Sequence, residues 1–174
     1  MEEQELVKKC LSGNKKAQKQ LFDLYAPQMM TVCHRYANRN DQAIDMLQEG
    51  FIRVFSNLDK FSHSGSLGGW IRTVMVNNAL TTLRREKKFS FNESIDDHTE
   101  LDSGGDTLSD LNLQELLALI SSLPTGYRTV FNMYAIEGYS HKEIAELLKI
   151  SESTSKTQYR KAKLRLQKLI IDNE

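Results

Sequence analysis

The chain has 174 residues, of which 40% are hydrophobic and 26% charged, as expected for a globular protein of one or two domains. Its 23 basic and 23 acidic residues give a formal net charge of zero. No apolar run approaches the length of a membrane span, and Met1–Glu5 is acidic where a signal peptide would be basic. We therefore expect a cytoplasmic protein.

The charge is distributed in three blocks. Residues 1–90 carry 14 basic and 9 acidic residues, residues 91–116 carry 8 acidic residues and no basic one, and residues 117–174 carry 9 basic and 6 acidic residues. Two mildly basic blocks therefore flank an acidic one, and the zero total does not exclude nucleic-acid binding.

Catalytic and metal-binding patterns are not readable in the sequence. Cys10 and Cys33 lack metal-ligand spacing and are expected to be reduced core thiols. The four histidines are scattered, with no carboxylate or cysteine at ligand spacing. We expect no catalytic residue, metal or cofactor and no small-molecule substrate, so an enzyme is the least favoured class.

The first block is predicted to be helical throughout. Helices are expected over 2–11, 14–25 and 27–36, with Pro27 starting the third because its missing N–H costs little at a helix start. The next helix is expected over 41–55, with an inner face marked by the spacing of Ile44, Leu47, Phe51 and Val54. The other face of this helix is polar, and the default interpretation of such a face is exposure to solvent without a binding role.

A loop and a long helix complete this block. Residues 57–69 are rich in turn formers and are expected to be held by Leu58 and Phe61. A helix is predicted from Trp70 to about Lys88, ending in a basic run. Basic residues in a last turn suit the helix dipole, and phosphate contact is the alternative interpretation.

The acidic segment 91–110 has few apolar residues and contains Ser-Gly-Gly-Asp, which is typical of a flexible linker. Helices are predicted again over 110–122 and after Pro124, where Val130, Phe131 and Tyr134 mark a core face.

The segment Tyr139–Leu169 is predicted to be a helix, a tight turn and a second helix. Ser140 and Glu143 have capping-box spacing, and Ser151 is a favourable N-cap for the second helix. A buried stripe is expected from Tyr159, Ala162, Leu166 and Leu169, beside a basic stripe of Lys156, Arg160 and Lys163. A basic second helix after a short turn fits the major groove of DNA.

The chain shows no candidate strand, so the sequence predicts an all-α protein. We expect two small helical domains joined by a flexible acidic linker, with boundaries at 1–90, 91–110 and 111–174.

Four groups of residues, in order along the chain, carry a resemblance. The first group is residues 43–55 (AIDMLQEGFIRVF), and the second is Gly65-Ser66-Leu67 followed by Trp70-Ile71 and Asn77. The third is Leu123-Pro124 with Arg128, Glu137-Gly138 and Glu143-Ile144-Ala145. The fourth is Thr154-x-Lys156. Together they resemble the bacterial sigma factors of RNA polymerase, in the compact two-domain extracytoplasmic-function (ECF) form. The resemblance covers nearly the whole chain.

The resemblance implies a transcription initiation factor that answers an extracytoplasmic signal. Region 2, residues 1–90, would bind core RNA polymerase and would recognise and melt the −10 element. Region 4, residues 111–174, would read the −35 element with its helix-turn-helix. The implied partners are the largest and second-largest polymerase subunits, promoter DNA, and an anti-sigma factor, which in this family is often membrane-bound.

The resemblance also implies roles for particular residues. Those for core-polymerase binding are Asp45, Gln48, Glu49, Phe51 and Phe55. Those for the −10 element are Phe61, His63, Ser64, Gly65, Ser66, Asn77, Arg84 and Arg85. Those for the −35 element are Ser153, Thr154, Lys156, Thr157, Arg160, Lys161 and Lys163.

The chain departs from the family pattern at several positions. Many members have Gly in the turn at Lys149, an aliphatic residue at Ser155 and Arg at Gln158. Ser155 falls on the inner side of its helix, where its hydroxyl would need a partner such as a backbone carbonyl. Two other classes stay open: a stand-alone helix-turn-helix regulator of DNA, and an interaction protein whose helical domains bind an inhibitor or scaffold.

Overall fold

The computed structural model describes residues 3–86 and 113–172, and every regular element in these ranges is helical. The all-α prediction is therefore confirmed. The helices are α1 (Glu3–Leu11), α2 (Lys15–Tyr36), α3 (Asn40–Ser56), α4 (Leu67–Arg85), α5 (Leu113–Ser122), α6 (Thr125–Phe131), α7 (His141–Leu148) and α8 (Glu152–Asp172). A 3-10 turn spans Leu58–Lys60, and a π-helical segment spans Asn132–Ile136.

The chain forms two compact units, which we call unit 1 (Met1–Arg85) and unit 2 (Glu86–Glu174). The predicted linker, 91–110, lies outside the described residues. In the described ranges, no helix is long and apolar enough to cross a membrane. The same ranges contain no cluster of His, Cys, Asp or Glu that could hold a metal ion.

Unit 1 is built on α2, α3 and α4, which pack against one another, with α1 against α2. Its core is almost wholly apolar, and its most deeply buried side chains include Leu21, Tyr36, Met46, Ile71 and Leu80. Cys10 and Cys33 are also buried there as free thiols, as predicted. Burial raises the pKa of Cys33 to about 12, so this thiol stays protonated.

Helix α2 runs unbroken through Pro27, so the prediction of two helices meeting there is wrong. The N-terminal start is as expected, because the Asn14 side chain accepts from Lys16 N and Ala17 N at 3.0 and 3.1 Å. Pro27 is exposed, so water can satisfy the carbonyl group that loses its N–H partner. Leu21 and Met29 are buried on either side of it, and this packing holds the helix together.

The inner face of α3 differs from the prediction at one position. Ile44 is 37% exposed, whereas Ala43, Met46 and Gly50 are buried with the expected Leu47, Phe51 and Val54. Gly50 allows α3 to approach α4, because a Cβ at this position would overlap the Met75 side chain. Across the same contact, Asn78 Nδ2 donates to Met46 O at 3.0 Å.

Unit 2 has a smaller core between α5, α6 and α8. It is formed by Ile120, Leu123, Tyr127, Ala162 and Leu166. Arg128 is buried beside it and donates from Nη1 to Ser121 O at 2.9 Å. Burial lowers the pKa of Arg128 from its usual value.

The π-helical segment changes which residues face the core. Glu137 N donates to Asn132 O at 2.9 Å, a bond one residue longer than in an α-helix. Within this segment Asn132 and Met133 are buried, whereas Tyr134 is 38% exposed. The predicted core position of Tyr134 is therefore wrong, whereas that of Val130 is confirmed.

The helix-turn-helix forms as predicted, from α7, a three-residue turn and α8. Ser140 and Glu143 make both bonds of the capping box, and Ser151 Oγ accepts from Thr154 N at 3.0 Å. In the turn, Lys149 adopts a left-handed conformation with φ 56° and ψ 46°. This conformation explains why many related proteins have Gly at this position, because Gly adopts it at no steric cost, whereas Lys149 adopts it with strain.

The buried stripe of α8 is shifted in phase from the prediction. It comprises Ser155, Gln158, Ala162, Leu166 and Ile170. Ala162 and Leu166 agree with the prediction, but Tyr159 and Leu169 are only half-buried. The inner position of Ser155 is confirmed, whereas the burial of Gln158 was not predicted.

Candidate functional site

Helix α3 presents a mixed surface on the side opposite its core contacts. Asp45 and Gln48 are exposed, while Glu49 and Phe55 are half-buried. Phe51, by contrast, is 3% exposed and packs on Phe22 at a ring-centroid distance of 4.6 Å. Of the five predicted docking residues, Phe51 is therefore buried beneath the surface, and the other four have side chains on it.

Two aliphatic residues on α3 belong to this surface and were not predicted. Ile44 and Ile52 are 37% and 65% exposed, and they precede and follow Gln48 by one helical turn each. Apolar side chains that are exposed together on one face are typical of protein-binding surfaces. The four-residue spacing from Ile44 through Gln48 to Ile52 was visible in the sequence, but Ile44 was assigned to the core. We call Ile44, Asp45, Gln48, Glu49, Ile52 and Phe55 the α3 surface.

The loop before α4 forms an exposed arch, residues 62–66, between two buried side chains. Phe61 is 6% exposed and Leu67 is fully buried. The Phe61 ring lies 4.6 Å from the His63 ring and 5.7 Å from the Trp70 ring, centroid to centroid. His63 has a φ of 56°, in the left-handed region that few non-glycine residues adopt. Of the predicted −10 residues in this loop, His63, Ser64, Gly65 and Ser66 therefore lie on the arch and Phe61 anchors it.

The remaining predicted −10 residues lie on α4. Asn77, Arg84 and Arg85 are all exposed. Arg85 Nη1 lies 3.8 Å from Glu49 Oε2, which links the end of α4 to the α3 surface. The pair is too exposed to add much stability.

The outer face of α8 carries the predicted −35 residues. Ser153, Lys156, Thr157, Arg160 and Lys163 are exposed, and Thr154 and Lys161 are half-buried. Lys156 Nζ lies 2.9 Å from Glu152 Oε1, one turn earlier. The hydrogen bond from Lys156 lowers the pKa of Glu152, so this carboxylate stays charged beside the basic face.

The inner face of α8 is joined to α7 by a hydrogen bond between side chains. Ser155 Oγ lies 2.9 Å from His141 Nδ1. The hydroxyl partner is therefore an imidazole rather than the backbone carbonyl that the sequence suggested. We call this pair the His141–Ser155 latch.

Aromatic rings surround the latch. The His141 ring stacks on Tyr134 at 4.2 Å, and Tyr159 contacts both. Burial lowers the pKa of His141, as does the nearby charge of Lys156, while Glu152 acts in the opposite direction. The lowered pKa favours the neutral form of the imidazole between the two helices of the motif.

The comparisons with known proteins place these two units in one family. The sequence profile described as Sigma-70 region 2 matches residues 21–89, and that described as Sigma-70, region 4 matches residues 113–166. The chain belongs to the sigma-70 family. The two matches together leave residues 1–20, 90–112 and 167–174 of this sigma-70 member unmatched.

Curated relatives identify the type within the sigma-70 family. The chain is 26% identical to the ECF RNA polymerase sigma factor SigW of Bacillus subtilis, over 95% of each chain. It is also 26% identical to the ECF RNA polymerase sigma-E factor of Haemophilus influenzae, over 92% of this chain and 91% of the relative. This sigma-70 family member is therefore of the ECF type.

Solved structures share the fold of this ECF sigma factor. The sigma factor RpoE of Bartonella quintana, crystallised with the anti-sigma factor NepR, aligns with a TM-score of 0.55 at 20% identity, over 90% of this chain and 98% of that one. CnrH, solved with the cytosolic domain of CnrY, aligns with a TM-score of 0.51 at 19% identity, over 97% of both chains.

Proposed function

We propose that this ECF sigma factor binds core RNA polymerase and directs it to promoters by recognising a −10 and a −35 element. The observation that carries the proposal is the order of the two units. A region 2 unit with an exposed mixed surface on α3 precedes a region 4 unit with an exposed basic face on α8. Such a protein lends sequence specificity to the polymerase and performs no chemistry itself.

The α3 surface is the proposed docking site for the largest polymerase subunit. Ile44 and Ile52 supply apolar area, and Asp45 and Gln48 supply a charge and an amide that can hydrogen-bond to the partner. The buried Phe51 packs beneath this surface, against Phe22.

Helix α8 is the proposed reader of the −35 element. The exposed Lys156, Thr157 and Arg160, with the half-buried Lys161, would contact base edges in the major groove. Ser153, Thr154 and Lys163 are placed for phosphates, which position the helix without specifying sequence. Lys156 would exchange its bond to Glu152 for one to a base.

The arch and the exposed face of α4 are the proposed site for the −10 element. His63, Ser64, Gly65 and Ser66 would hold an extruded base of the non-template strand, whose unstacking costs a few kcal/mol. Asn77, Arg84 and Arg85 would hold the strand that follows. We accordingly assign residues 1–90 to region 2, 91–110 to the linker and 111–174 to region 4.

An anti-sigma factor is the proposed regulator. RpoE was crystallised with the anti-sigma factor NepR, and CnrH was solved with the cytosolic domain of CnrY. A partner that covers the α3 surface or α8 would prevent polymerase or promoter binding. The proposed location of the sigma factor is the cytoplasm, where the polymerase acts.

Transcription in vitro tests the proposal. Core polymerase with the full chain, on a broad library of promoter templates, is expected to give starts downstream of a shared pair of boxes, and core alone is not. The absence of such starts would overturn the proposal. Protection of duplex DNA by the free chain, without polymerase, would favour the stand-alone regulator instead.

A further inference from the structure

The first turn of α1 contacts the start of α4. Glu3 Oε1 accepts a hydrogen bond from Leu67 N at 3.2 Å, across 64 positions of the sequence. Leu67 is the first residue of α4, so its N–H has no partner within the helix. Ser66 Oγ accepts from Gly69 N at 3.1 Å in the same turn. The start of α4 is therefore capped by one local and one distant side chain.

Helix α2 closes the same contact from another side. A Cβ at Gly68 would lie 3.1 Å from Tyr25 Cε1, so the ring lies against the α4 backbone. Burial raises the pKa of Tyr25, and the charge of Glu3 adds to this effect. Three helices thus meet around Leu67 and Gly68.

This meeting point is one end of the arch. Residues 62–66 are all exposed, and the side chains that fix them are Phe61 at one end and Leu67 at the other. The Phe61 end follows the 3-10 turn and packs in the core. The Leu67 end combines a fully buried side chain with the backbone bond to Glu3.

We propose that Glu3 is a positioning residue for −10 recognition. Its bond to Leu67 N holds the Leu67 end of the arch in the position that receives an extruded base. This inference rests on the proposed function. Glu3 lies outside the segment matched by the region 2 profile, which begins at residue 21. Its bond is charge-assisted, and it acts on the backbone rather than on DNA.

Binding of short oligonucleotides to the polymerase complex tests this role. Full-length chains carrying Glu3→Ala or Glu3→Gln are assembled with core polymerase. Affinity is then measured for a single-stranded −10 oligonucleotide and for a duplex −35 oligonucleotide. Loss of the bond is expected to weaken −10 binding about tenfold in Glu3→Ala. Glu3→Gln retains a neutral acceptor, and its expected loss is about threefold.

Glu5→Ala is the matched control, since Glu5 lies on the same helix and pairs with Lys9 at 2.7 Å instead of reaching α4. It is expected to bind both oligonucleotides as the unmodified chain does. The Glu3 variants are also expected to discriminate less between bases at the extruded position, which a merely stabilising residue would not change.

Two results would overturn the role of Glu3. One is unchanged −10 binding in both Glu3 variants, and the other is an equal loss for the −10 and −35 oligonucleotides. If the unmodified complex itself fails to bind the −10 strand, the proposed function fails instead. Should Glu3→Ala not fold, the graded loss in Glu3→Gln decides the question alone.

Discussion

The two units differ in how their helices are held together. Among the described residues of unit 1, the buried polar side chains are those of Gln42 and Asn78. Among those of unit 2, the buried polar or charged side chains are Arg128, Thr129, Asn132, Ser155 and Gln158. Both units have hydrogen bonds between helices, but unit 2 buries more polar side chains beside a smaller apolar core, so it depends on hydrogen bonding more than unit 1 does.

This difference has a consequence for function. In unit 1 the α3 surface lies on the opposite side of α3 from the core, so binding and stability can be changed separately. In unit 2 the inner face of α8 carries Ser155 and the outer face carries Lys156, its neighbour in sequence. Changes to the latch are therefore expected to alter both the stability of unit 2 and the orientation of its reading helix.

The largest expected effect concerns the α3 surface of unit 1. Replacing both Asp45 and Gln48 by Ala removes the polar centre of the α3 surface and leaves the core intact. We expect affinity for core polymerase to fall at least about thirtyfold, with unfolding unchanged. Fluorescence anisotropy of the labelled chain titrated with core polymerase measures the affinity.

The control for this variant is Asp41→Ala, which removes an exposed carboxylate from the first turn of the same helix. It is expected to bind polymerase normally. A double variant that binds as tightly as this control would show that α3 is not the docking surface.

The second prediction concerns the latch. Ser155→Ala leaves His141 Nδ1 without its bond and is expected to lower the free energy of unfolding of unit 2 by about 1–2 kcal/mol. Denaturation followed by far-UV circular dichroism should show the loss. Trp70, the only tryptophan, lies in unit 1, so the transition seen by its fluorescence should not move.

Thr157→Ala is the control for the latch, because Thr157 is exposed two positions further along α8. It should leave both transitions unchanged. If Ser155→Ala shifted the Trp70 transition as much as the dichroism, the two units would not have separate stabilities.

The third prediction is a pH dependence of unit 2. Since the pKa of His141 is lowered on folding from its ordinary value of about 6.5, the unfolded chain takes up this proton first. Stability of unit 2 should therefore fall as the pH drops below about 6.5, and should be constant with respect to this group above it. Denaturation at pH values from about 7.5 to 5.5 measures the slope.

His141→Asn provides the comparison for the pH series, since its amide can still bond to Ser155 but does not titrate in this range. The slope below pH 6.5 should be smaller in the variant. Equal slopes in the two proteins would contradict the assignment of the titration to the latch.

The smallest expected effect is in the turn. Lys149→Gly relieves the left-handed strain at φ 56° and is expected to stabilise unit 2 by about 0.5–1 kcal/mol. Lys149→Ala keeps the Cβ and should give no gain. Thermal unfolding of the two variants distinguishes strain at this residue from an effect of its charge.

Local signals in the sequence predicted the helices and their caps well. The caps at Asn14, Ser140 and Ser151 depend on residues two or three positions apart, and the structure contains all three. The predicted helix start at Pro27 is wrong because the local preference of proline for a helix start is weaker than the packing of α2 on both sides of it.

The errors in unit 2 arise from features that a fixed helical period does not include. Tyr134, in the π-helical segment, is exposed rather than in the core, and Gln158 and Ile170 are buried where Tyr159 and Leu169 were expected, while the predicted inner position of Ser155 is confirmed. In unit 1, the same reliance on large apolar residues missed the burial of Gly50 and the exposure of Ile44.

The candidate sites depended on the family resemblance more than on periodicity. The exposed positions of Asp45, Asn77 and Lys156 agree with it, but their roles stay predictions. Contacts between distant residues, such as Glu3 with Leu67 and Glu49 with Arg85, have no signal in spacing. Only the folded chain shows them.

The most direct test of whether the two units recognise separate promoter elements is transcription of a promoter library by core polymerase with the Lys156→Ala or the Asn77→Ala variant. Lys156→Ala is expected to reduce base discrimination in the upstream box about tenfold and to leave the downstream box unchanged. Asn77→Ala is expected to change preference in the downstream box alone. If either variant changed base preference in both boxes equally, the two units would not recognise separate promoter elements.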